Sequence, residues 1–530
     1  MTANAQPGGE AARDGLDELR VRTGFDILDP VPGADLDSTL VAEVPVEWAR
    51  QHAMLPVRHG GRLCVLVSDE AGLKARSFLE LLLDAELQPL LSPRAEILRC
   101  IEKCYFSRTE SASDFLRDLA PSGAPREESR RSEDLLQDAD NAPVTQLVNL
   151  ILLDAVKAGA SDVHVEPFQS ALRIRRRVDG RLYEQASPPK HLEAALVSRL
   201  KVMARLDIAE RRLPQDGVAR VRVGEREIDI RVSTIPVAEG ERVVLRLLNR
   251  ESALLPLDRL GLPARALEVL GSLIAEPSGI LIVAGPTGSG KTTTLYAILQ
   301  QLDTEHINIL TIEDPVEYQI PNIGQIQVKP KIGLTFASGL RHILRQDPDV
   351  ILVGEVRDIE TAEIAIRASL TGHLVFTTLH TNDAPGTLVR LLDIGIEPYL
   401  LAASLRAVIS QRLVRTLCPK CRAQETPDGK SSEAMDRIRA GLAGRPAWGP
   451  RGCPACIEGY RGRTGLFEMM KVGPELAEAI RQGETRAAGL RDLAIRNGMT
   501  TLLDDGIERI REGQTSVQEV LRVIGKSARS

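Results

Sequence analysis

Residues 285–292 read GPTGSGKT, which fills every fixed position of the phosphate-binding pattern G-x-x-x-x-G-K-[ST]. The apolar run GILIVA precedes this segment, and the helical sequence TTTLYAILQQL follows it. Glycines let the backbone amides of such a turn, and the N-terminus of the next helix, approach an anion closely. We therefore predict a strand, a phosphate-binding loop and a helix in that order, within an α/β fold that binds a nucleotide.

The residues of this loop are expected to contribute in different ways. Lys291 should reach the β and γ phosphates, and the Thr292 hydroxyl should ligate magnesium. ATP and Mg²⁺ are therefore the expected cofactors. The nucleotide-binding residues that the motif predicts are Gly285, Pro286, Thr287, Gly288, Ser289, Gly290, Lys291, Thr292 and Thr293.

Hydrolysis also needs a carboxylate near the γ phosphate, and two apolar runs end on one. TIEDPVE supplies Glu313, and DPDVILVGEVRD supplies Glu355. An acidic residue at a strand end is the second nucleotide-binding element of such folds. Taken singly, each carboxylate could equally be a helix cap or a solvated loop residue. Both remain candidate catalytic residues, and the sequence does not separate their roles.

Four apolar runs of strand length, GILIVAG, INILTIED, DVILVGE and HLVFTTLH, are separated by helical or loop sequence. This alternation is typical of a parallel, doubly wound sheet. The chain is also too long for one core, because domains average roughly 100 to 200 residues. We therefore predict several domains around this sheet.

The domain boundaries follow changes in composition. Residues 1–24 are predicted to be disordered, although they belong to an N-terminal α/β domain with a strand hairpin about Gly60 and Gly61. Several strands of the third segment alternate arginine with apolar residues. The predicted segments are an N-terminal partner-docking domain at 1–105, a linker at 106–142, a basic mixed α/β domain at 143–250, an ATPase core at 251–412, a cysteine module at 413–468 and a helical subdomain at 469–530.

Composition argues against some classes of protein. A formal net charge of -6 and an aromatic content of 3% argue against a nucleic-acid partner, which normally requires a basic surface and stacking side chains. The sequence shows no apolar run of about 20 residues and no secretory signal pattern, which favours the cytoplasm. Three scattered cysteines, Cys64, Cys100 and Cys104, are interpreted as buried, inert thiols.

The other four cysteines form two close pairs, CPKC at 418–421 and CPAC at 453–456. The resulting spacing, C-x2-C-x31-C-x2-C, suits four thiolates around a tetrahedral Zn²⁺. Because four protein ligands leave no open position, the site is expected to be structural. The alternative is a set of reduced cysteines without metal. The predicted zinc ligands are Cys418, Cys421, Cys453 and Cys456.

The stretch TGHLVFTTLHTND places His373 and His380 seven residues apart around a strand, which they could simply cap. With this stretch, four segments resemble the Walker A, aspartate, Walker B and histidine boxes of the secretion superfamily ATPases. They are GPTGSGKTTTLYAIL, TIEDPVEY, LRQDPDVILVGEVRD and TGHLVFTTLHTNDAPGTLVRL. The resemblance extends over roughly residues 145–470 and implies a RecA-like ATPase domain, preceded by a PAS-like domain, in a ring that is usually hexameric.

The resemblance also implies roles for single residues. Glu313 matches the acid of the aspartate box and Glu355 the Walker B glutamate, while His373 and His380 match a box thought to sense the γ phosphate. Arg231 and Arg246 match arginines that family members offer to the phosphates across a domain or subunit boundary. For either arginine, the alternative is a salt-bridged strand face. Weaker candidates within the matching boxes are Arg341, Arg345, Arg357 and Arg390.

Among these ATPases, the zinc module resembles type II secretion and pilus assembly motors and differs from pilus retraction motors. The short gap between the cysteine pairs, and an N-terminal domain without an evident cyclic-dinucleotide signature, favour type II secretion. The resemblance then implies that the N-terminal domain docks on the cytoplasmic part of an inner-membrane protein, and that the motor acts on a membrane platform protein. Three alternatives stay open at this point: a pilus assembly ATPase, a nucleic-acid motor and a scaffold that binds ATP without useful hydrolysis.

Overall fold

The computed structural model describes residues 8–37, 39–41, 44–83, 85–108, 133–134, 143–223, 226–248, 255–427 and 432–525. The chain divides into two units, residues 1–249 and 250–530. No helix of the described residues is both long and apolar enough to cross a lipid bilayer.

The first unit begins with a small α/β domain, as predicted. Its three-stranded sheet has the order β1-β2-β3, with an antiparallel β1–β2 hairpin and a parallel β2–β3 pair. His59 pairs with Arg62, so the hairpin turns at Gly60 and Gly61, where φ is +57° and +78°. The elements are α1 (Gly8–Thr23), α2 (Val46–His52), β1 (Leu55–His59), β2 (Arg62–Val67), α3 (Glu70–Leu82), β3 (Gln88–Leu91) and α4 (Arg94–Arg108), with a 3₁₀ turn at Gly33–Asp35.

The prediction of disorder for residues 1–24 is wrong for residues 8–23, which form α1. Leu16 and Leu19 of this helix are buried in the same apolar cluster as the strands. Residues three apart share one helix face, so these two leucines pack together against the core. The largely polar composition of residues 1–24 does not indicate this contact. Residues 1–7 lie outside the described residues.

The predicted linker at 106–142 begins too early, because α4 continues to Arg108. Glu133–Asp134 (β4) pairs in parallel with a strand of the following domain. The rest of the predicted linker, 109–132 and 135–142, lies outside the described residues.

The second part of the first unit is a seven-stranded mixed sheet with the order β4-β8-β9-β10-β5-β6-β7. Val163 and Val165 of β5 face a buried apolar side, whereas Asp162, His164 and Glu166 alternate onto a face rich in arginine. The elements are α5 (Pro143–Lys157), β5 (Asp162–Pro167), β6 (Leu172–Val178), β7 (Arg181–Ala186), α6 (Glu193–Met203), β8 (Gln215–Val223), β9 (Arg226–Val237) and β10 (Gly240–Leu248), with a 3₁₀ turn at Lys190–Leu192.

The second unit is built on another seven-stranded sheet, with the order β13-β12-β14-β15-β11-β16-β19. All neighbouring pairs are parallel except β16 with β19, which confirms the predicted parallel sheet. Apolar clusters cover both faces, as buried parallel strands require. The elements up to the end of β15 are α7 (Ala264–Ile274), β11 (Gly279–Ala284), α8 (Lys291–Leu299), β12 (Ile309–Glu313), β13 (Gly324–Gln327), α9 (Phe336–Ile343), β14 (Val350–Val353), α10 (Ile359–Leu370) and β15 (Leu374–Leu379), with 3₁₀ turns at Leu257–Arg259 and Pro330–Ile332.

The remainder of the second unit carries the cysteine pairs and four C-terminal helices. Strands β16 and β19 form a long antiparallel ladder, and the cysteines lie in the chain between them. The elements are α11 (Ala384–Ile394), α12 (Pro398–Ser404), β16 (Leu405–Leu417), β17 (Ala423–Glu425), α13 (Glu433–Leu442), β18 (Ala447–Gly449), β19 (Tyr460–Lys471), α14 (Pro474–Arg481), α15 (Ala487–Arg496), α16 (Leu502–Arg511) and α17 (Val517–Ile524).

Candidate active site

Four parallel strands of the second unit bring the predicted site residues to one edge of the sheet. The strands lie in the order β12-β14-β15-β11, and the carboxyl ends of parallel strands share an edge. Glu313 ends β12, and Gly285 and His380 directly follow β11 and β15. Glu355 follows β14 after Gly354. Residues separated by up to 95 positions in sequence therefore meet at one rim.

The phosphate-binding loop has a backbone that needs glycine at three positions. Gly285, Gly288 and Gly290 have φ of +148°, +78° and +89°. A Cβ on Gly285 would lie 2.5 Å from the Gln411 carbonyl oxygen, and one on Gly290 would lie 2.9 Å from Gln411 Nε2. The glycines therefore provide both the turn and the close approach of the loop to β16.

Lys291 opens α8 and folds back over the loop. Its Nζ donates to the Gly285 carbonyl oxygen at 2.8 Å and to the Pro286 carbonyl oxygen at 3.2 Å, and the side chain is buried. Burial lowers the pKa of the Lys291 ammonium to about 8, against an opposing contribution from the nearby Glu355 carboxylate. An ammonium group that lies beside the loop backbone is suited to donate hydrogen bonds to a phosphate group.

The remaining loop residues fit a bound triphosphate. Ser289 is 3% exposed, and its hydroxyl finds no hydrogen-bond partner among the described residues. A buried hydroxyl without a hydrogen-bond partner in the protein indicates a position where a ligand binds. Pro286, Thr287 and Thr292 are exposed, and Thr293 is half-buried, so the Thr292 hydroxyl is accessible to a magnesium ion. The loop therefore presents the donor set that a nucleotide with Mg²⁺ requires.

Glu313 is buried, and both of its carboxylate oxygens already accept hydrogen bonds. Oε2 accepts from the Tyr296 hydroxyl at 2.5 Å, and Oε1 accepts from Thr311 Oγ1 at 2.5 Å and from Gln325 Nε2 at 3.2 Å. Burial raises the pKa of the Tyr296 hydroxyl, and the hydrogen bond to Glu313 raises it further. The structure thus holds this carboxylate through three side-chain donors.

Glu355 is more open and lies among basic side chains. His380 Nε2 lies 3.4 Å from Glu355 Oε2, and the Arg357 guanidinium contacts Oε1. The Glu355 side chain is 15% exposed, against 3% for the whole of Glu313. Burial lowers the pKa of His380, the Lys291 charge lowers it further, and Glu355 raises it. Lys291, Glu355 and His380 therefore form one electrostatic group.

The two histidines of the histidine box lie at opposite ends of β15. His373 precedes the strand, where its Nδ1 faces the Ala368 carbonyl oxygen at 2.9 Å and its own carbonyl oxygen accepts from the Gly279 amide at 3.2 Å. A strand of six residues spans about 20 Å at roughly 3.3 Å per residue. The structure therefore brings His380 to the site and leaves His373 at the other edge of the sheet.

One of the weaker arginine candidates, Arg357, contacts the Glu355 carboxylate. The contacts described for the others lie elsewhere. Arg341 pairs with Glu360 at 2.5 Å, and Arg345 contacts His342 at 2.7 Å, both on exposed surface. Arg390 lies exposed on α11.

Sequence reasoning missed a set of polar residues in β16. Gln411 Oε1 accepts from Thr294 Oγ1 at 2.7 Å, and Arg412 Nη2 donates to Asn382 Oδ1 at 2.9 Å. The signal was present, because the triplet SQR interrupts the apolar run AVISQRLV. Three adjacent polar residues in a buried interior strand indicate a site rather than a core.

Arg231 and Arg246 belong to the first unit, where they are direct partners in the β9–β10 ladder. Arg246 Nε lies 3.3 Å from Asp162 Oδ1, and both arginines line an open groove of about 420 Å³ on the arginine-rich face. The Arg246 side chain is 57% exposed despite this ion pair. The arrangement is compatible with both the salt-bridged face and a phosphate-contacting arginine.

The four paired cysteines converge where β16 ends and β19 begins. Their Sγ atoms all lie within 4.8 Å of one another, with separations of 3.9 Å for Cys418–Cys453, 3.6 Å for Cys421–Cys456 and 3.6 Å for Cys453–Cys456. Four sulfurs about 2.3 Å from a tetrahedral Zn²⁺ would lie about 3.8 Å apart. The cluster therefore has the dimensions of a four-thiolate metal site. The three remaining cysteines, Cys64, Cys100 and Cys104, are buried, and burial raises the pKa of each thiol.

The chain is similar to known proteins over most of its length. Residues 137–522 match a family described as Type II/IV secretion system protein, and residues 30–111 match an MshEN domain. The chain is 50% identical over 441 residues to the Type II secretion system ATPase E of Vibrio cholerae, covering 82% of this chain and 86% of that protein. It is 46% identical over 491 residues to the type II secretion system protein HxcR of Pseudomonas aeruginosa, covering 91% and 98%.

Two further similarities bear on function and fold. The chain is 43% identical over 499 residues to the type IV pilus assembly ATPase PilB of Myxococcus xanthus, covering 92% of this chain and 87% of that protein. Among solved structures, the ATPase DotB of Legionella pneumophila matches with a TM-score of 0.53 at 21% identity, covering 75% of this chain and 96% of that chain. The structural match concerns the fold alone and confirms the predicted ATPase architecture.

Proposed function

The chain belongs to the type II/IV secretion system protein family and is an ATP hydrolase of that family, and on this premise we propose that it powers pseudopilus assembly and protein export in type II secretion. The observation that carries the proposal is the shared rim on which Lys291, Glu355 and His380 form one group beside the phosphate-binding loop. A site of this kind suits phosphoryl transfer to water, because positioning and charge stabilisation supply most of the catalysis.

Each residue has a separable role in this proposal. The loop amides, the Ser289 hydroxyl and the Lys291 ammonium hold the phosphates, and Thr292 holds Mg²⁺. When bound, ATP supplies the transferable phosphoryl group and Mg²⁺ neutralises negative charge on it. Glu355 accepts the proton of the attacking water, since its carboxylate is the more open of the two acids. Glu313, held by three donors, shapes the same rim. Arg231 and Arg246 add positive charge from the arginine-rich face.

We extend the proposal to assembly and place. The chain works as a homo-oligomer, with a hexameric ring as the expected form, on the cytoplasmic side of the inner membrane. The N-terminal domain at residues 1–105 docks on the cytoplasmic part of an inner-membrane protein, and movement of the two units against each other acts on a membrane platform protein. Nucleic acid is not a substrate. The four cysteines hold a structural Zn²⁺, which the spacing of their Sγ atoms supports.

The first test is hydrolysis by the purified protein. We expect release of phosphate from ATP with Mg²⁺ and its loss in Lys291→Ala, because the ammonium at the loop is removed. Lys331→Ala, an exposed lysine on the turn after β13, is the matched control and should keep wild-type turnover. Turnover retained in Lys291→Ala, or stimulated by DNA at physiological salt, would contradict the proposal.

The second candidate function is type IV pilus assembly, which the similarity to PilB favours. The two functions separate in cells. Deletion of the gene should abolish an extracellular enzyme activity while surface pili remain, and the wild-type gene should restore secretion where the Lys291→Ala gene does not. Loss of pili with secretion intact would assign the chain to pilus assembly instead.

A further inference from the structure

A buried carboxylate behind the rim connects it to the C-terminal helices. Glu468 lies in β19, opposite Ser410 of β16, and is 1% exposed. Its Oε1 accepts from the Ala384 amide at 2.8 Å, and its Oε2 accepts from the Leu502 amide at 3.4 Å. The two oxygens of one side chain thus contact two helices.

These two amides belong to the first residues of α11 and α16. The first amides of a helix have no acceptor within the helix, and a helix N-terminus carries partial positive charge. The N-cap side chains satisfy later amides, since Asp383 accepts from Gly386 and Thr501 from Asp504. Glu468 therefore supplies the missing acceptor and the negative charge for both helix ends at once.

Helix α11 begins directly after the segment that carries His380. Three successive residues at its start are held by side chains from later in the chain. Arg412 donates to the Asn382 carbonyl oxygen at 3.0 Å and to its side chain, and Arg491 donates to Asp383 at 2.7 Å. Glu468 then accepts from Ala384. His380 therefore lies between the end of β15, where the Leu379 carbonyl oxygen accepts from the Gly285 amide at 3.2 Å, and this anchored segment.

We propose that Glu468 is a positioning residue for hydrolysis, whose carboxylate holds the start of α11 and thereby keeps His380 beside Glu355. The inference rests on the proposed roles of Glu355 and His380. It also relates the site to the cysteine module, because Tyr460, the first residue of β19, lies four positions after Cys456.

The charge of Glu468 should be visible in the pH dependence. Burial raises the pKa of this carboxyl, the Ala384 amide lowers it, the Asp383 carboxylate raises it, and Arg491 lowers it. The other charged neighbours are Arg412 of β16 and Asp505 of α16. The Asp505 carboxylate accepts a hydrogen bond from the Phe467 amide at 2.8 Å. Protonation removes an acceptor from one helix end, so activity should fall at low pH.

The test compares Glu468→Gln with Glu475→Gln, an exposed position on α14 that serves as the control. In Glu468→Gln one oxygen becomes an NH₂ group, which meets an amide donor. We expect kcat to fall by about 10- to 100-fold, the scale of a slightly misplaced catalytic group, with KM for ATP unchanged. The acid limb of the kcat–pH profile should shift or disappear, whereas Glu475→Gln should match the wild type in all three measurements.

A folded Glu468→Gln protein with wild-type kcat and pH profile, or with a changed KM alone, would overturn the inference. If this variant does not fold, Glu468→Asp keeps the charge and shortens the reach, and the same criteria apply to it. Failure of both variants to fold would assign Glu468 a structural role and overturn the inference as well. Glu355→Gln separates the two proposals, because full activity in that variant would remove the proposed function itself.

Discussion

The Tyr296 hydroxyl donates a 2.5 Å hydrogen bond to Glu313, so the helix that follows the phosphate-binding loop holds one of the two acids at the rim. Tyr296 is 1% exposed, and its hydroxyl also lies 3.4 Å from the Glu317 amide. Glu355 has no such set of neutral donors among the contacts described for it; its neighbours are His380, Arg357 and Lys291. This difference distinguishes the two acids, which the sequence leaves equivalent.

We expect Glu355→Gln to lose about 100-fold or more in kcat, because the general base is removed. Glu313→Gln should keep more of its turnover and lose stability instead. Tyr296→Phe should lower the free energy of unfolding by about 1 to 3 kcal/mol, the cost of an unsatisfied buried acceptor, as measured by denaturant unfolding. A larger loss of kcat in Glu313→Gln than in Glu355→Gln would reverse the assignment of the base.

The pKa of Lys291 predicts an alkaline limit on nucleotide use. Because burial lowers this pKa to about 8, the ammonium is present below that pH and is lost as the pH rises through it. We therefore expect kcat/KM for ATP, which reports groups of the free enzyme, to fall above about pH 8. Lys291→Arg cannot deprotonate in this range, so any residual activity should not follow the same limb. A wild-type profile that stays level to about pH 9.5, which is about 1.5 pH units above this pKa, would contradict the prediction.

Arg231 is expected to act on hydrolysis rather than on nucleotide binding. We predict that Arg231→Ala loses turnover, on the order of 10³-fold if it acts as an arginine finger, while its Kd for ATP stays near that of the wild type. Arg220→Ala is the control, because Arg220 is exposed and pairs with Asp229 at 2.8 Å on the neighbouring strand. Loss of nucleotide binding together with unfolding would support the salt-bridged strand face instead.

The cysteine cluster is expected to bind one Zn²⁺ per chain. Metal analysis of protein purified without chelators should show this stoichiometry, and Cys453→Ser should lower it. Removal of the metal should lower the Tm and expose residues 418–460 to protease. The reason is that the free energy of metal binding stabilises the folded state of a module with a small core. Cys64→Ser, which changes a buried thiol outside the cluster, should leave the zinc content unchanged. Absence of metal after gentle purification would contradict the prediction.

Several features were predictable from the sequence because they are set locally. The glycines of residues 285–292 determine their own backbone conformation, and four apolar runs determine β11, β12, β14 and β15. The spacing of the cysteine pairs likewise predicted a four-thiolate cluster. For the loop and the strands, the decisive physics is backbone sterics or the burial of a continuous apolar run, and it acts within about ten residues. Each cysteine pair is also local, although 31 residues separate the two pairs.

The positions of the histidines and acids required the tertiary structure. Motif matching treats His373 and His380 alike, but the direction of β15 places them at opposite edges of the sheet. It also treats Glu313 and Glu355 alike, but neighbouring elements surround the first with three donors and the second with basic side chains.

What the sequence determined by itself is therefore the chemistry available: a phosphate-binding loop, two acids at strand ends and four thiolates. Only the tertiary structure decided which acid is open, that α1 folds onto the N-terminal core, and that Glu468 reaches amides 84 and 34 positions away. The reason is physical. These features depend on which elements become neighbours, and the burial of apolar surface over the whole domain decides that rather than any one segment.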